Sequence, residues 1–171
     1  MTVYLSNWSS HRTVGAHGPG HKYTIMAFPR DWERGEGAVP TLVPDADTLR
    51  RFRARADSYE SYRAFYLRRF TPMALTYGFT PGGLLARATD GGTAPVVADG
   101  DTLACACAVG VARAGRCHRT WAAAGLTLAG WSVVLDGKPL THDEARSIFR
   151  GDWGVEPQAP TVPLSPPLVT E

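Results

Sequence analysis

The stretch Asp101-Thr-Leu-Ala-Cys-Ala-Cys-Ala108, followed by Gly115-Arg-Cys-His-Arg-Thr-Trp121, predicts the centre of the fold. Its first part is a short apolar run after the turn Asp99-Gly-Asp101, which is typical of a buried strand over Thr102–Ala108. Its second part predicts a helix of about ten residues that begins near Cys117 or His118. A strand, a loop and a helix in this order are typical of an open α/β sheet.

The flanking segments supply further strands. Val3–Trp8 and His21–Phe28 contain the β-branched and aromatic residues that favour strands. Trp131–Asp136 predicts another strand, which ends at the turn signal Asp136-Gly137. The sequence thus predicts several short strands around the central one.

Two consecutive helices are predicted over residues 46–56 and 58–70 from apolar residues at helical spacing. Asp45 is a good N-cap for the first helix, and Asp57-Ser-Tyr-Glu60 forms a capping box for the second. Thr141-His-Asp-Glu144 is another capping box and opens a short last helix. Together these elements predict a three-layer α/β domain with a mostly parallel central sheet and helices on both faces.

Length and composition predict one domain. The chain has 171 residues, of which 44% are hydrophobic and 20% are charged, as in ordinary globular proteins. We expect the folded domain over residues 1–154 and a flexible tail over residues 155–171, where five prolines fall between Pro157 and Pro167. We expect no specific partner for the tail, because its proline spacing arises in any proline-rich segment.

Charge and cysteine content predict the compartment. A net charge of +2 is too small to indicate nucleic-acid binding by itself. The three cysteines form no disulfide-rich pattern, and residues 1–7 lack the layout of a signal peptide. No apolar run approaches the ~20 residues that span a bilayer. We therefore expect a cytoplasmic protein with reduced thiols and no membrane partner.

The candidate site is Cys117-His118-Arg119, at the start of the predicted central helix. Free backbone N–H groups and the positive end of the helix dipole favour anions and thiolates at such a position. Cys117 and His118 are therefore the candidate catalytic residues, as thiolate and proton carrier. Arg119 is the candidate anion clamp, with Arg116 as a second cation beside the thiol.

Two loops are predicted to form the opposite wall of the site. Arg30 and Trp32 follow the second strand, and Trp32 suits stacking on a planar group. His11 and Arg12 lie in the loop after the first strand. We expect this site to bind a phosphate-bearing substrate, either a nucleotide or nucleic acid. The residues leave open whether the protein is an enzyme; as an enzyme it would be a thiol-dependent transferase or hydrolase.

The other two cysteines allow several interpretations. Residues two apart in a strand share one face, so Cys105 and Cys107 should point the same way and serve as small core residues, separate from Cys117. A transient Cys105–Cys117 disulfide is one alternative. A second is a zinc site formed by Cys105, Cys107 and Cys117, with His11 or His17 as a fourth ligand. No other cofactor is expected.

The predicted helix pair gives an alternative function. Residues 45–70 contain seven arginines and four acidic residues, a local surplus of +3. A basic, tyrosine-rich helix pair is typical of surfaces that bind a phosphate backbone. The alternative is therefore a non-enzymatic nucleic-acid-binding module, and the simpler interpretation is a solvated face opposite a core stripe.

Several motifs occur in an order that resembles a known family: Val3-Tyr-Leu-Ser6, Phe28-Pro-Arg-Asp-Trp32, Glu60-Ser-Tyr-Arg-Ala-Phe-Tyr66 and Cys117-His-Arg119. The chain resembles the bacterial YeaO-like proteins, a domain of unknown function, over roughly residues 3–136. The resemblance implies that Cys-His-Arg marks a site, and it implies no particular reaction. Cys107 stands where that family usually has a glutamate, and the loop before Cys117 is longer here.

Overall fold

The computed structural model describes residues 1–9, 14–70, 97–107 and 117–150. They form a three-layer α/β fold with a mostly parallel five-stranded sheet, as the sequence predicts. The strands are β1 (Thr2–Asn7), β2 (Lys22–Thr24), β3 (Thr102–Cys105), β4 (Ser132–Leu135) and β5 (Lys138–Pro139), and the helices are α1 (Ala46–Arg53), α2 (Tyr59–Leu67), α3 (His118–Leu128) and α4 (His142–Arg150). Two 3-10 turns, Asp31–Glu33 and Pro40–Leu42, precede α1.

The strand order β2-β3-β1-β4-β5 places β1 in the middle of the sheet. Leu5 of β1 pairs with Leu103 of β3 on one side and with Leu135 of β4 on the other, and both pairings are parallel. β2 also runs parallel to β3, while β5 is antiparallel to β4. The carboxyl ends of β1, β2 and β3 therefore meet at one edge, which is where open α/β sheets usually bind ligands.

β3 is the buried central strand that the sequence predicts, but it is shorter than predicted. All four residues of Thr102–Cys105 are buried. The prediction extended the strand to Ala108, whereas Ala106 and Cys107 already lie beyond its end. The backbone N–H groups of Ile25 and Trp8 donate to the carbonyls of Ala104 and Cys105 at 3.0 and 3.1 Å, at the point where the ladder ends. Cys107 therefore lies in a bend, where strand alternation does not fix its direction.

α3 begins at His118, as the sequence predicts, and crosses the core. Cys117 is its N-cap, with extended backbone at φ −131°. Every residue from His118 to Thr127 is buried. The small residues of the run Ala122–Ala124 allow close packing around the helix.

The tyrosine face of α2 packs on α3. The ring of Trp121, which is fully buried, lies 5.7, 5.4 and 5.5 Å from the rings of Tyr59, Tyr62 and Tyr66. These tilted and edge-on arrangements are the ones that aromatic rings prefer. The aromatic spacing that predicted a helix here is thus the spacing of a core contact.

Both predicted helices in residues 46–70 exist, but their ends differ from the prediction. α1 ends at Arg53, and α2 ends at Leu67. Asp45 caps α1 as predicted, because its carboxylate accepts from the Thr48 N–H at 2.8 Å. The cap of α2 is Ser58, one residue later than the predicted Asp57. Asp57 instead pairs with Arg51, whose guanidinium lies 2.8 Å from its carboxylate.

Local signals near the end of the described chain are confirmed. Asp136 and Gly137 both have positive φ, at 49° and 85°, and make the tight turn between β4 and β5. The capping box before α4 is present, since Thr141 N–H donates to Glu144 at 2.8 Å and Glu144 N–H donates to Thr141 at 3.2 Å.

The second predicted strand is shorter than expected. Only Lys22–Thr24 of His21–Phe28 is a strand, although Ile25 and Met26 remain buried. The tail over 155–171 lies outside the described residues. Within the described ranges, no helix has the length and apolar character to cross a lipid bilayer.

We expect Trp121→Ala to lower the free energy of unfolding by about 3–5 kcal/mol, because it removes the largest ring from the contact between α2 and α3. Urea denaturation followed by circular dichroism measures the change. Trp32→Ala is the matched control, since the Trp32 side chain is 59% exposed and its removal should change little. Equal losses in the two variants would contradict this account of the core.

Candidate functional site

The three cysteines form one cluster. Cys105 ends β3, Cys107 lies in the bend after it, and Cys117 caps α3. Their sulfur atoms all lie within 4.8 Å of one another, and the Sγ atoms of Cys105 and Cys117 are 3.6 Å apart. The sequence interpretation that separated Cys105 and Cys107 from Cys117 is therefore wrong. The cluster exists because the carboxyl end of β3 meets the N-terminus of α3.

N–H groups donate to the sulfur atoms of the two buried cysteines, Cys105 and Cys117. The Cys107 backbone N–H donates to Cys105 Sγ, and the Arg119 backbone N–H donates to Cys117 Sγ, each at 3.4 Å. Arg119 Nη1 also lies 3.4 Å from Cys105 Sγ. All three cysteines are free thiols. These contacts would stabilise negative charge on the two buried sulfur atoms.

Exposure distinguishes the three thiols. Cys105 is fully buried and Cys117 is 2% exposed, whereas Cys107 is half-buried. Cys107 lines a cavity of about 420 Å³, and Cys105 and Cys117 do not. The accessible thiol is therefore Cys107, although the sequence pointed to Cys117. The cavity is lined by Met26, Ala27, Phe28, Arg30, Glu33, Leu49, Arg53, Ala106, Cys107 and His118.

Ionisation distinguishes the thiols in the same way. Hydrogen bonds from the Cys105 and Cys117 thiols hold the pKa of Cys107 well below its usual range, and His118 lowers it further. The hydrogen bond to Cys107, together with burial, raises the pKa of Cys105 to about 12. The pKa of Cys117 is raised by its hydrogen bonds to Cys105 and Cys107 and by burial. These directions favour loss of the proton from Cys107, which the other two thiols stabilise by hydrogen bonds, over loss of a proton from Cys105 or Cys117.

His118 has a fixed ring orientation at the wall of the cavity. Its Nε2 lies 3.0 Å from the carbonyl oxygen of Ile25. A carbonyl only accepts hydrogen bonds, so Nε2 carries the proton and Nδ1 keeps its lone pair when the ring is neutral. The Tyr66 ring packs against it at 5.8 Å. This arrangement suits His118 to accept and return a proton beside Cys107.

Arg119 occupies the core of the site, away from the cavity. It is fully buried, and its Nη2 lies 3.0 Å from Asp136 Oδ2. Burial alone would lower the pKa of Arg119, but the Coulombic attraction of Cys105, Cys117 and Asp136 raises it. Its guanidinium therefore neutralises buried charge and is not among the groups that line the cavity. Asp136 was missed as a site residue, because its Asp-Gly sequence signals only a turn.

Other cations line the cavity. Arg30, a predicted substrate-binding residue, is one of them, and Arg53 of α1 is another. Arg53 lies over the Phe28 ring at 5.9 Å, and the buried Glu33 accepts from the Arg30 backbone N–H at 2.9 Å. The sequence did not predict Arg53, Phe28 or Glu33 as site residues, because only the packing of α1 on the residue 26–33 loop brings them together.

Several predicted site residues lie elsewhere. Trp32 is exposed and contacts Arg30, whose guanidinium is 5.9 Å from its ring, but Trp32 is not among the lining residues. The Nε2 atom of His17, one suggested zinc ligand, lies 3.0 Å from the backbone carbonyl oxygen of Asn7. His11, Arg12 and Arg116 lie outside the described residues.

Several of the seven arginines in residues 45–70 make hydrogen bonds or ion pairs within the protein. Arg69 donates to the carbonyls of Thr41 and Val43 at 2.9 and 2.8 Å. Arg63 donates to two carbonyls at the end of α4. Arg50 and Arg51 pair with acidic neighbours, Asp47 and Asp57. These contacts reduce the basic surface that the alternative nucleic-acid module would need.

No family model, curated protein or solved structure matches this chain. The YeaO-like resemblance therefore stays an expectation that rests on its motifs.

We expect Asp136→Asn to lower the free energy of unfolding by about 3–5 kcal/mol, because it leaves the buried Arg119 without its carboxylate. Asparagine tolerates the positive φ at this position, so the turn itself is not perturbed. Asp143→Asn is the control, since Asp143 pairs with Arg146 on the surface, where ion pairs contribute little. Urea denaturation that gave the same midpoint for both variants would contradict the structural role of the buried pair.

We expect iodoacetamide to alkylate Cys107 at least about tenfold faster than Cys105 or Cys117 in the folded protein, because buried thiols react only after local opening. Peptide mass spectrometry after short exposures measures the three rates. In denaturant all three cysteines should react at similar rates, which provides the control. Preferential labelling of Cys117 would contradict the assignment of the accessible thiol.

Proposed function

We propose that the protein is a thiol-dependent enzyme that acts on a phosphate-bearing small molecule in the cavity beside Cys107. One observation carries the proposal: the accessible thiol of Cys107 and the imidazole of His118 line the same cavity as two guanidinium groups, Arg30 and Arg53. The nucleophile is Cys107 rather than Cys117, because Cys117 is 2% exposed and cannot meet a substrate.

The lining of the cavity supports an anionic substrate. Guanidinium groups bind phosphate oxygens through paired N–H donors. Arg30 and Arg53 are both exposed, so their donors are accessible to a ligand. The acidic lining residue, Glu33, is buried and already accepts the Arg30 backbone N–H. The positive groups are therefore exposed, whereas the acidic group is buried and already hydrogen-bonded.

The size of the cavity favours a small molecule over a nucleic-acid strand. Its volume of about 420 Å³ is in the ordinary range for small ligands. A strand would need a continuous basic groove, and Arg63 and Arg69 are instead bonded to backbone carbonyls. A nucleotide or a similar phosphate ester fits these observations best.

The proposed reaction is a two-step group transfer. The Cys107 thiolate, whose proton has passed to His118 Nδ1, attacks the electrophilic atom of the substrate. The sulfur bond forms as the bond to the leaving oxygen breaks, and that oxygen takes the proton from His118. Water or a second substrate then gives a proton to His118, attacks the same atom and releases the thiolate. The protein is a hydrolase if water is the acceptor and a transferase otherwise.

The proposal predicts a charge preference in the alkylation of Cys107. The ratio of the iodoacetate rate to the iodoacetamide rate should be higher for Cys107 than for glutathione, because anionic iodoacetate carries its charge to Arg30 and Arg53. Arg53→Gln should lower this ratio about fivefold, which corresponds to about 1 kcal/mol for one charge near the surface. The ratio of the two rates cancels any change in the ionisation of Cys107 itself.

Arg146→Gln is the matched control, because Arg146 is an exposed arginine of α4 that does not line the cavity. Pyrophosphate, used as a phosphate probe, should protect Cys107 in the wild-type protein and in the control variant. It should not protect the Arg30→Gln/Arg53→Gln double variant. A wild-type protein without charge preference, or with the same preference after Arg53→Gln, would overturn the proposal.

A further inference from the structure

The proposed reaction uses one sulfur atom and leaves two without a chemical role. Cys105 and Cys117 are sealed from solvent, yet their Sγ atoms are 3.6 Å apart and within 4.8 Å of Cys107 Sγ. We infer that the three cysteines form a three-thiolate site for a soft divalent cation of the zinc class, Zn²⁺ or Cd²⁺. This goes beyond the proposed enzyme and does not depend on it.

The spacing of the sulfur atoms suits such an ion. A tetrahedral zinc with Zn–S bonds of about 2.3 Å holds its sulfur ligands about 3.8 Å apart. The closest pair in the cluster is already 3.6 Å apart, and no pair exceeds 4.8 Å. The sulfur atoms therefore need to move by no more than about 1 Å to bind one ion. An all-sulfur ligand set selects soft cations over Mg²⁺ or Ca²⁺.

The surroundings of the sulfur atoms also suit thiolate ligands. Backbone N–H groups of Cys107 and Arg119 donate to Cys105 Sγ and Cys117 Sγ, a contact that supports ligand charge. A divalent ion with three thiolates carries one net negative charge. The Arg119 guanidinium, 3.4 Å from Cys105 Sγ and anchored on Asp136, lies where it offsets that charge.

The cavity supplies an entry path and an open coordination position. Cys107 is both a member of the cluster and a lining residue of the cavity, so an ion can reach the sulfur atoms from that side. Among the described residues, the cluster contains these three side chains and no fourth protein ligand. Three protein ligands and an open fourth position are the pattern of reactive zinc sites. Water, or an oxygen atom of a ligand in the cavity, would complete the tetrahedron.

Binding of the ion is a simple exchange of protons for metal. Three metal–sulfur bonds form, the protons still held by the three thiols go to solvent, and no electrons are transferred. The Cys107 lone pair that binds the ion is then unavailable for attack on carbon or phosphorus. Metal occupancy and alkylation of Cys107 therefore exclude each other.

The test titrates the reduced, metal-stripped full chain with Cd²⁺. We expect a sulfur-to-cadmium charge-transfer absorption that reaches its plateau at one ion per chain, and native mass spectrometry should give the same stoichiometry. Cys105→Ala and Cys117→Ala should each weaken Cd²⁺ binding by at least about 100-fold. Loss of a hydrogen-bond partner of a ligand already costs up to about 100-fold, and loss of the ligand itself should cost no less. Arg146→Gln is the matched control, because Arg146 is exposed and does not line the cavity, and it should bind Cd²⁺ as the wild-type protein does. The proposed enzyme fails if the anion preference of alkylation is absent, and the metal site fails if the cadmium band is absent, so the two failures give different results.

A second measurement avoids mutating the core. Wild-type protein alkylated at Cys107 alone keeps both buried cysteines, and it should lose the cadmium absorption. Saturating Zn²⁺ should slow alkylation of Cys107 by at least about tenfold by mass action, and a chelator should restore the rate. The inference is overturned if the wild-type protein gives no charge-transfer band, if alkylated protein binds Cd²⁺ unchanged, or if Zn²⁺ leaves the alkylation rate unaltered.

Discussion

The buried guanidinium of Arg119 joins the segments that form the site. It contacts Cys105 at the end of β3, the Cys107 carbonyl in the bend and Asp136 in the turn between β4 and β5. A fully buried cation is tolerated only when its charge and its donors are matched by nearby partners. Asp136, Cys105 and the Cys107 carbonyl supply partners for the two terminal nitrogens of Arg119, and its Nε has no hydrogen-bond partner among the described residues. The position of Arg119 is therefore tied electrostatically to Asp136 and to the thiol cluster.

The sheet determines where this constraint acts. Parallel pairing of β1 with β3 and with β4 brings Asn7, Cys105 and the turn at Asp136 to one edge. The Asn7 side chain donates to the Cys107 carbonyl at 2.6 Å, and Arg119 donates to the same oxygen at 3.4 Å. Two donors thus hold the bend that carries the accessible thiol. Cys107 is half-buried but fixed in position, which is the combination that a reactive or metal-binding sulfur requires.

Local rules predicted the elements, and long-range packing determined the site. The buried β3, the start of α3, the Asp45 cap and the Asp136-Gly137 turn each follow from a few neighbouring residues, so the sequence was sufficient for them. The position of Cys107 was not predictable, because the alternation rule stops applying where β3 ends at Cys105. The contribution of Arg53 depends on how α1 packs against the loop before it, and no short motif encodes that contact.

The identity of residue 107 determines which partners the cluster favours. A carboxylate at this position would be a hard oxygen donor. Cysteine supplies a polarisable sulfur instead, beside two more sulfur atoms that accept from backbone N–H groups. Its sulfur is both a nucleophile and a soft ligand. Both proposed activities therefore depend on the same side chain. Cys107 alone would attack a substrate, and Cys107 together with the buried thiols of Cys105 and Cys117 would bind an ion.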